Sequence, residues 1–186
     1  MKDFIQAARN FVYAEQKRTG MPLKQHIDLS CKKARDLAQR LNADVDIVIA
    51  GTLLMDCMIG TAIQRGKVSE HIQMSLEKTN ELLEQANLPQ STKENIRHCI
   101  EEHHGITNFF SLESEICCNA DCYRFASTQG FYYTVRFFRD MPDDEFLKLL
   151  RTKFNEKKNA LTLDMCKEEL KSDLITINEF ITRLES

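Results

Sequence analysis

The sequence predicts an all-α fold, a compact bundle of about seven or eight helices, on three observations. Apolar residues recur at three- and four-residue intervals along most of the 186-residue chain. Capping residues, prolines and a well-placed glycine punctuate these stretches. No two runs of alternating residues are present to serve as partner strands.

Leu29, Ala34, Leu37, Ala38 and Leu41 mark a first helical stripe. Asp44 is a candidate cap for a helix running through Ile47 to about Met58. Ser69 and Glu70 open the next, whose stripe is Ile72, Leu76, Thr79, Leu83 and Ala86. Pro89 breaks the chain, and Ser91-Thr-Lys-Glu94 reads as a capping box for a helix reaching His104. Gly105 stands where a left-handed C′ residue belongs. The segment Phe131-Tyr-Tyr-Thr-Val-Arg-Phe-Phe138 is rich in β-formers. A lone strand would leave its backbone unpaired, so the segment reads as a buried helix. Pro142, Asp143 and Asp144 start a further helix. Leu163, Leu170, Leu174, Ile177, Ile181 and Leu184 then give the last one a long amphipathic face. With no repeat, low-complexity tract or linker, residues 1–186 are expected to make one domain, with a helical extension over 143–186. The aromatic segment and the final stripe are core faces or the face of a homodimer.

Composition excludes several partners. Hydrophobic content of 42% and charged content of 28% are ordinary for a globular protein. A net charge of −3 gives no reason to expect a nucleic-acid surface. The run Ile47 to Met55 is too short to cross a bilayer and ends at Asp56, so no membrane partner is expected. The opening Met-Lys-Asp-Phe-Ile has no signal-peptide core. Seven cysteines, an odd number with no C-x-x-C, suit reduced thiols and a cytoplasmic setting. Cys117, Cys118 and Cys122 around Asp121 read as small core residues before they read as a soft-metal site.

The chemistry-bearing residues are more pointed. All five histidines fall between His26 and His104. Taken with two aspartates, the order is His26, Asp56, His71, His103–His104 and Asp121. Neutral imidazoles and carboxylates are the ligands of Zn, Mn and Fe, so one or two such divalent ions are the expected cofactor. Adjacent histidines on a helix point about 100° apart, and both reach one ion only at a crowded place such as a helix end. Gly105 supplies that end. Asp56 closes a fully apolar stretch, and a carboxylate buried there needs a metal or another cation.

The ordered set resembles the HD-domain superfamily of metal-dependent phosphohydrolases, whose motif runs H…HD…D. Binuclear members add a histidine and a His-His pair between the second and third elements. His26-Ile-Asp-Leu-Ser is similar to the first element, and Ala50-Gly-Thr-Leu-Leu-Met-Asp56 to the approach to the His-Asp doublet. Ser69-Glu-His71 and Ile100-Glu-Glu-His-His104 resemble the binuclear insertion, and Asn119-Ala-Asp121 the closing aspartate. The resemblance covers residues 20–135. It implies an HD-like bundle in which one ion would take His26, the doublet histidine, Asp56 and Asp121. A second would take His71, His103 and His104, with Asp56 bridging. Asp56 or Asp121 would orient the attacking water, and the substrate would be a nucleotide or small phosphate ester.

This chain departs from the pattern in three places. Met55 replaces the doublet histidine, no lysine follows Asp56, and Asp121 is followed by Cys122-Tyr-Arg124. Met55 depletes only the first implied site, because a neutral thioether is a poor ligand for hard ions. Losing even an outer-shell partner lowers metal affinity about 10–100-fold, and a directly bound imidazole should matter at least as much. Met55 equally continues the apolar run of Leu53 and Leu54 and would fill an emptied site. Asp56 would then need Arg97, Arg124 or Lys67 as its cation. Glu102 is a candidate outer-shell carboxylate, and His98 a surface or outer-shell residue. Two functions stay open: a divergent phosphohydrolase, and a catalytically inactive module that binds a nucleotide or a protein partner.

Overall fold

The structure, a computed structural model, describes residues 1–186. It contains no strand and ten α-helices. In order these are α1 (Lys2–Thr19), α2 (Lys24–Leu41), α3 (Val45–Leu54), α4 (Ile59–Gln64) and α5 (His71–Glu84). Then follow α6 (Gln90–Glu101), α7 (Leu112–Ala126), α8 (Thr128–Phe137), α9 (Asp143–Ala160) and α10 (Asp164–Leu184), with a 3₁₀ turn at Val68–Glu70 before α5.

The centre is α3, and its composition explains the position. Every residue from Ile47 to Leu54 is buried. A helix that is apolar on all sides has no face to offer water, so others must surround it. It packs against α1, α2, α6 and α7. Gly51 makes the closest of these approaches possible, because a Cβ there would strike Cys99 on α6. Asp44 caps the helix as expected, its carboxylate accepting from the Asp46 and Ile47 amides at 2.9 and 3.1 Å. Taken as one stretch, Val45–Gln64 has mean hydropathy 1.7, but 78% of its apolar window is buried among the other helices.

The helix expected to reach Met58 stops at Leu54. A turn over 55–58 follows, in which the Cys57 amide bonds the Leu54 carbonyl and the Met58 amide bonds Ser75 Oγ. The backbone thus kinks at the residue that must leave the apolar core, Asp56. The helix expected to reach His104 ends three residues early at Glu101. His103 and His104 lie in the turn before Gly105, whose φ of 91° is the left-handed value glycine tolerates. The Ser91–Glu94 capping box is not formed; Pro89 takes the cap position, and the serine already lies within the first turn. The helix count exceeds the expected seven or eight for local reasons. The kink cuts α4 from α3, and Ser127 both ends α7 and caps α8, accepting from the Gly130 amide.

Phe131–Phe138 is helical up to Phe137, but only one face is buried: Gly130, Phe131 and Thr134 point inward while Tyr132 and Phe137 are exposed. The C-terminal pair α9 and α10 forms a smaller cluster with α8, made of Phe131, Leu150, Phe154, Ile177 and Ile181. Helix α9 also lies along α7, which carries its side chains to the residues described next.

Candidate metal centre

Three backbone breaks deliver the central residues. Asp56 sits in the turn after α3, His71 is the first residue of α5, and His103 and His104 occupy the turn after α6. Their ligand atoms all lie within 4.8 Å of one another. Asp56 Oδ1 stands 3.4 Å from His71 Nε2 and 3.5 Å from His103 Nε2. The His103 and His104 rings are 4.3 Å apart at 81°, an arrangement that the turn permits.

The hydrogen bonds around these rings fix what they present. His71 Nδ1 is 2.7 Å from the Val68 carbonyl, and His103 Nδ1 is 2.7 Å from the Ile100 carbonyl. A carbonyl only accepts, so each Nδ1 carries the proton and donates it, and in the neutral ring Nε2 is a bare lone pair. Both lone pairs face Asp56 Oδ1, another acceptor. His103 Nε2 and Asp56 Oδ1 are buried and have no hydrogen-bond partner. Two ligand atoms each about 2.1 Å from a tetrahedral ion stand about 3.4 Å apart, which matches the separations found. Burial, reinforced by the nearby Lys157, pushes the His104 imidazole down to about 3, so it is neutral at pH 7. Three imidazoles and one carboxylate oxygen therefore fit a divalent cation.

Behind Asp56 lies a second arrangement. Arg124, on α7, places Nη2 2.5 Å from Asp56 Oδ2 and pairs with Asp121 Oδ1 one turn earlier. Lys157, from α9, lies 2.6 Å from Asp121 Oδ2 and 2.8 Å from Glu156 Oε1. Asp121, Lys157 and Arg124 are all buried. Burial alone would raise both aspartates. Arg124, joined by Lys157 at Asp121, outweighs it and holds both below the usual carboxylate range. Asp121 and Asp56 hold Arg124 charged against the cost of burial, and Asp121 and Glu156 do the same for Lys157. Glu156, taken down to about 2 against burial chiefly by Lys157, is 3.4 Å from His104 Nδ1.

Of the six residues that the sequence nominates, Asp56, His71, His103 and His104 come together. His26 and Asp121 lie outside that group. His26 Nε2 is 3.1 Å from the Gly130 carbonyl and 3.3 Å from Thr134 Oγ1, and its ring packs edge-on to Phe125. Burial, then Arg124, pushes its imidazole down to about 4. Asp121 is committed to the two cations. Among the cations weighed for Asp56, Arg124 is the partner; Arg97 bonds Asn80 and Lys67 pairs with Glu70. Glu102 does not reach the centre. It accepts from His98 Nδ1 at 3.0 Å and from the Phe110 amide at 3.1 Å, and His98 stacks on Phe110. The sequence reading missed Lys157 and Glu156. The signal was there for Lys157, since it shares a helical face with Leu150, Phe154 and Ala160, all buried.

Neither a family model nor a curated protein matches this sequence. Solved structures do match its shape. A predicted HD superfamily hydrolase from an uncultured Thermotogales bacterium aligns over 98% of this chain and 90% of its own, with TM-score 0.68 and 17% identity. A Lactobacillus plantarum protein aligns over 100% and 96%, with TM-score 0.74 and 13% identity. A Listeria innocua protein aligns over 100% and 95%, with TM-score 0.67 and 15% identity. The fold is HD-domain-like. The four-residue group lies where the ends of three helical segments meet. One fold carries many activities, so function here is argued from that group.

Proposed function

We propose that this HD-like protein is a metal-dependent phosphohydrolase acting on a nucleotide or small phosphate ester. The observation that carries the reading is the pair of orphaned buried atoms, Asp56 Oδ1 and His103 Nε2, facing each other across a gap of ligand width. Asp56, His71, His103 and His104 would hold the ion, with Fe, Mn and Zn as candidates. A divalent ion bound there supplies Lewis acidity for a phosphoryl oxygen and makes water a nucleophile near neutral pH. The protein supplies orientation. The Val68 and Ile100 carbonyls fix the His71 and His103 rings, and Arg124 fixes Asp56 so that Oδ1 faces them.

Access is from the His104 side, where 29% of the imidazole and 27% of Glu156 are exposed. Lys153 Nζ is 2.8 Å from Glu156 Oε2 on that side and is the basic group positioned to meet a phosphate. A cleft of about 440 Å³ lined by Glu15, Arg18 and Lys78 includes none of the four ligands. The seven buried thiols agree with a reducing, cytoplasmic setting.

Screening phosphate esters and nucleotides with Mn, Co, Fe, Zn and Mg tests the reading. Turnover should need the metal and vanish in His103→Ala. Turnover that persists in metal-stripped protein, or none with any loaded metal, sinks it. A second reading, ligand binding without turnover, is favoured by the commitment of Asp121 to Arg124 and Lys157, which leaves it unable to act on water. It predicts nucleotide binding by calorimetry with no product formed.

A further inference from the structure

We infer that Arg124 and Lys157 close the far side of Asp56 to metal, so that this centre takes a single divalent cation. The inference rests on the metal reading above and adds the number of ions and the reason for it. Two buried carboxylates that lie side by side would ordinarily form a cation site of their own. Here a guanidinium joins them, 2.5 Å from Asp56 Oδ2 and paired with Asp121 Oδ1, and an ammonium stands 2.6 Å from Asp121 Oδ2. Each carboxylate oxygen except Asp56 Oδ1 is therefore facing a positive group. Only that oxygen is left for an ion, and it is the one the imidazoles surround.

Charge points the same way. Asp56, Asp121 and Glu156 are balanced by Arg124, Lys157 and Lys153, so the group is neutral before an ion binds. The first divalent ion makes the pocket doubly positive, which three neutral imidazoles can accommodate, as in a three-histidine zinc site. A second divalent ion would meet that charge in a medium of low dielectric, and the one further carboxylate nearby, Glu156, is already paired with Lys153 and Lys157. Arg124 cannot step aside, since its head group is enclosed and 7% of the side chain is exposed. Met55 adds no ligand: it is almost fully buried in the apolar core beside Leu53 and Leu54.

The test is Mn²⁺ titration of the full chain, followed by metal analysis and electron paramagnetic resonance, with calorimetry for the stoichiometry. The expected result is one Mn²⁺ per chain and an uncoupled six-line spectrum. Asp121→Asn should keep one ion per chain, and Asp56→Asn should bind none. Arg124→Gln, if it folds, frees Asp56 Oδ2 and Asp121 Oδ1 and should admit a second, exchange-coupled ion. Two coupled ions in the unaltered protein would overturn the inference and leave the metal reading standing. Loss of the single ion in folded Asp121→Asn would also overturn it. No uptake of any ion would remove both, whereas one ion without phosphatase turnover would remove only the proposed activity.

Discussion

Replacing Lys157 by Met removes one buried charge while keeping the length of the side chain, and its effect can be worked from the contacts. In the intact protein Asp121 has two cations, Lys157 at 2.6 Å and Arg124, and none of the three side chains has ready access to water. After the substitution Arg124 must serve both Asp121 and Asp56. Breaking a buried pair by deleting one partner costs about 3–5 kcal/mol, and the surviving guanidinium places this case near 3. For a chain of this size each kcal/mol moves Tm by about 2–4 °C, so a fall of about 6–12 °C is expected by calorimetry or circular dichroism. The pH dependence has a definite sign. Asp121 ionises below the unfolded-state value of about 3.9, so its contribution is complete above that pH and lost as the pH falls through the folded value. Without Lys157 the folded value rises toward the unfolded one. The Tm gap should therefore be widest near pH 7 and shrink below about pH 4. A gap under about 2 °C at pH 7, or one that widens on acidification, would refute the buried ion network as drawn.

Ligation should be visible as stability. An ion present at 100 times its Kd adds about 2.7 kcal/mol, and differential scanning fluorimetry should show Tm rising with added Mn²⁺ or Zn²⁺ but not in Asp56→Asn. Gly51→Ala forces a methyl into Cys99 on α6 and should cost about 1–3 kcal/mol in urea unfolding, although alanine is the better helix former. All seven cysteines are buried, and burial pushes the Cys31 and Cys57 thiols up to about 12. A thiol reagent should accordingly find almost nothing in the native protein and all seven groups in denaturant. Rapid modification of the folded chain would show that the α2–α3–α7 core is looser than described.

Much of this was legible in the residues because the signals were local. Asp44 could be placed as a cap from its position before an apolar run, and Gly105 as a left-handed residue from its position after the His103–His104 pair. The aromatic segment could be assigned to helix by backbone accounting alone, against its β-forming composition. All four members of the group are among the residues nominated by type and order. What the sequence hid were choices between partners far apart in the chain. Arg97, Arg124 and Lys67 were equal candidates for Asp56 until Arg97 was found on Asn80 and Lys67 on Glu70. His26 has the right type and order for a ligand. The α7–α8 corner decides against it, since Gly130 packs against the Tyr123 and Arg124 carbonyls there and its own carbonyl meets His26 Nε2.

Lys157 shows why order alone misjudges such a centre. A buried ion network is a poor way to gain stability, since well-packed apolar side chains often do as well or better. Its consequence here is orientation. Arg124 draws one oxygen of Asp56 backward, which turns the other toward His71 and His103, and Lys157 keeps Asp121 from competing unpaired for that guanidinium. The helix that supplies Lys157 also supplies Glu156 beside His104, so α9 borders the centre on two sides. Residues 143–186 are thus more than an addition to a core spanning 20–135. If α9 were absent, Asp121 would lose its second cation and His104 its neighbouring carboxylate. The geometry that leaves Asp56 Oδ1 facing the imidazoles depends on a helix that the motif does not include.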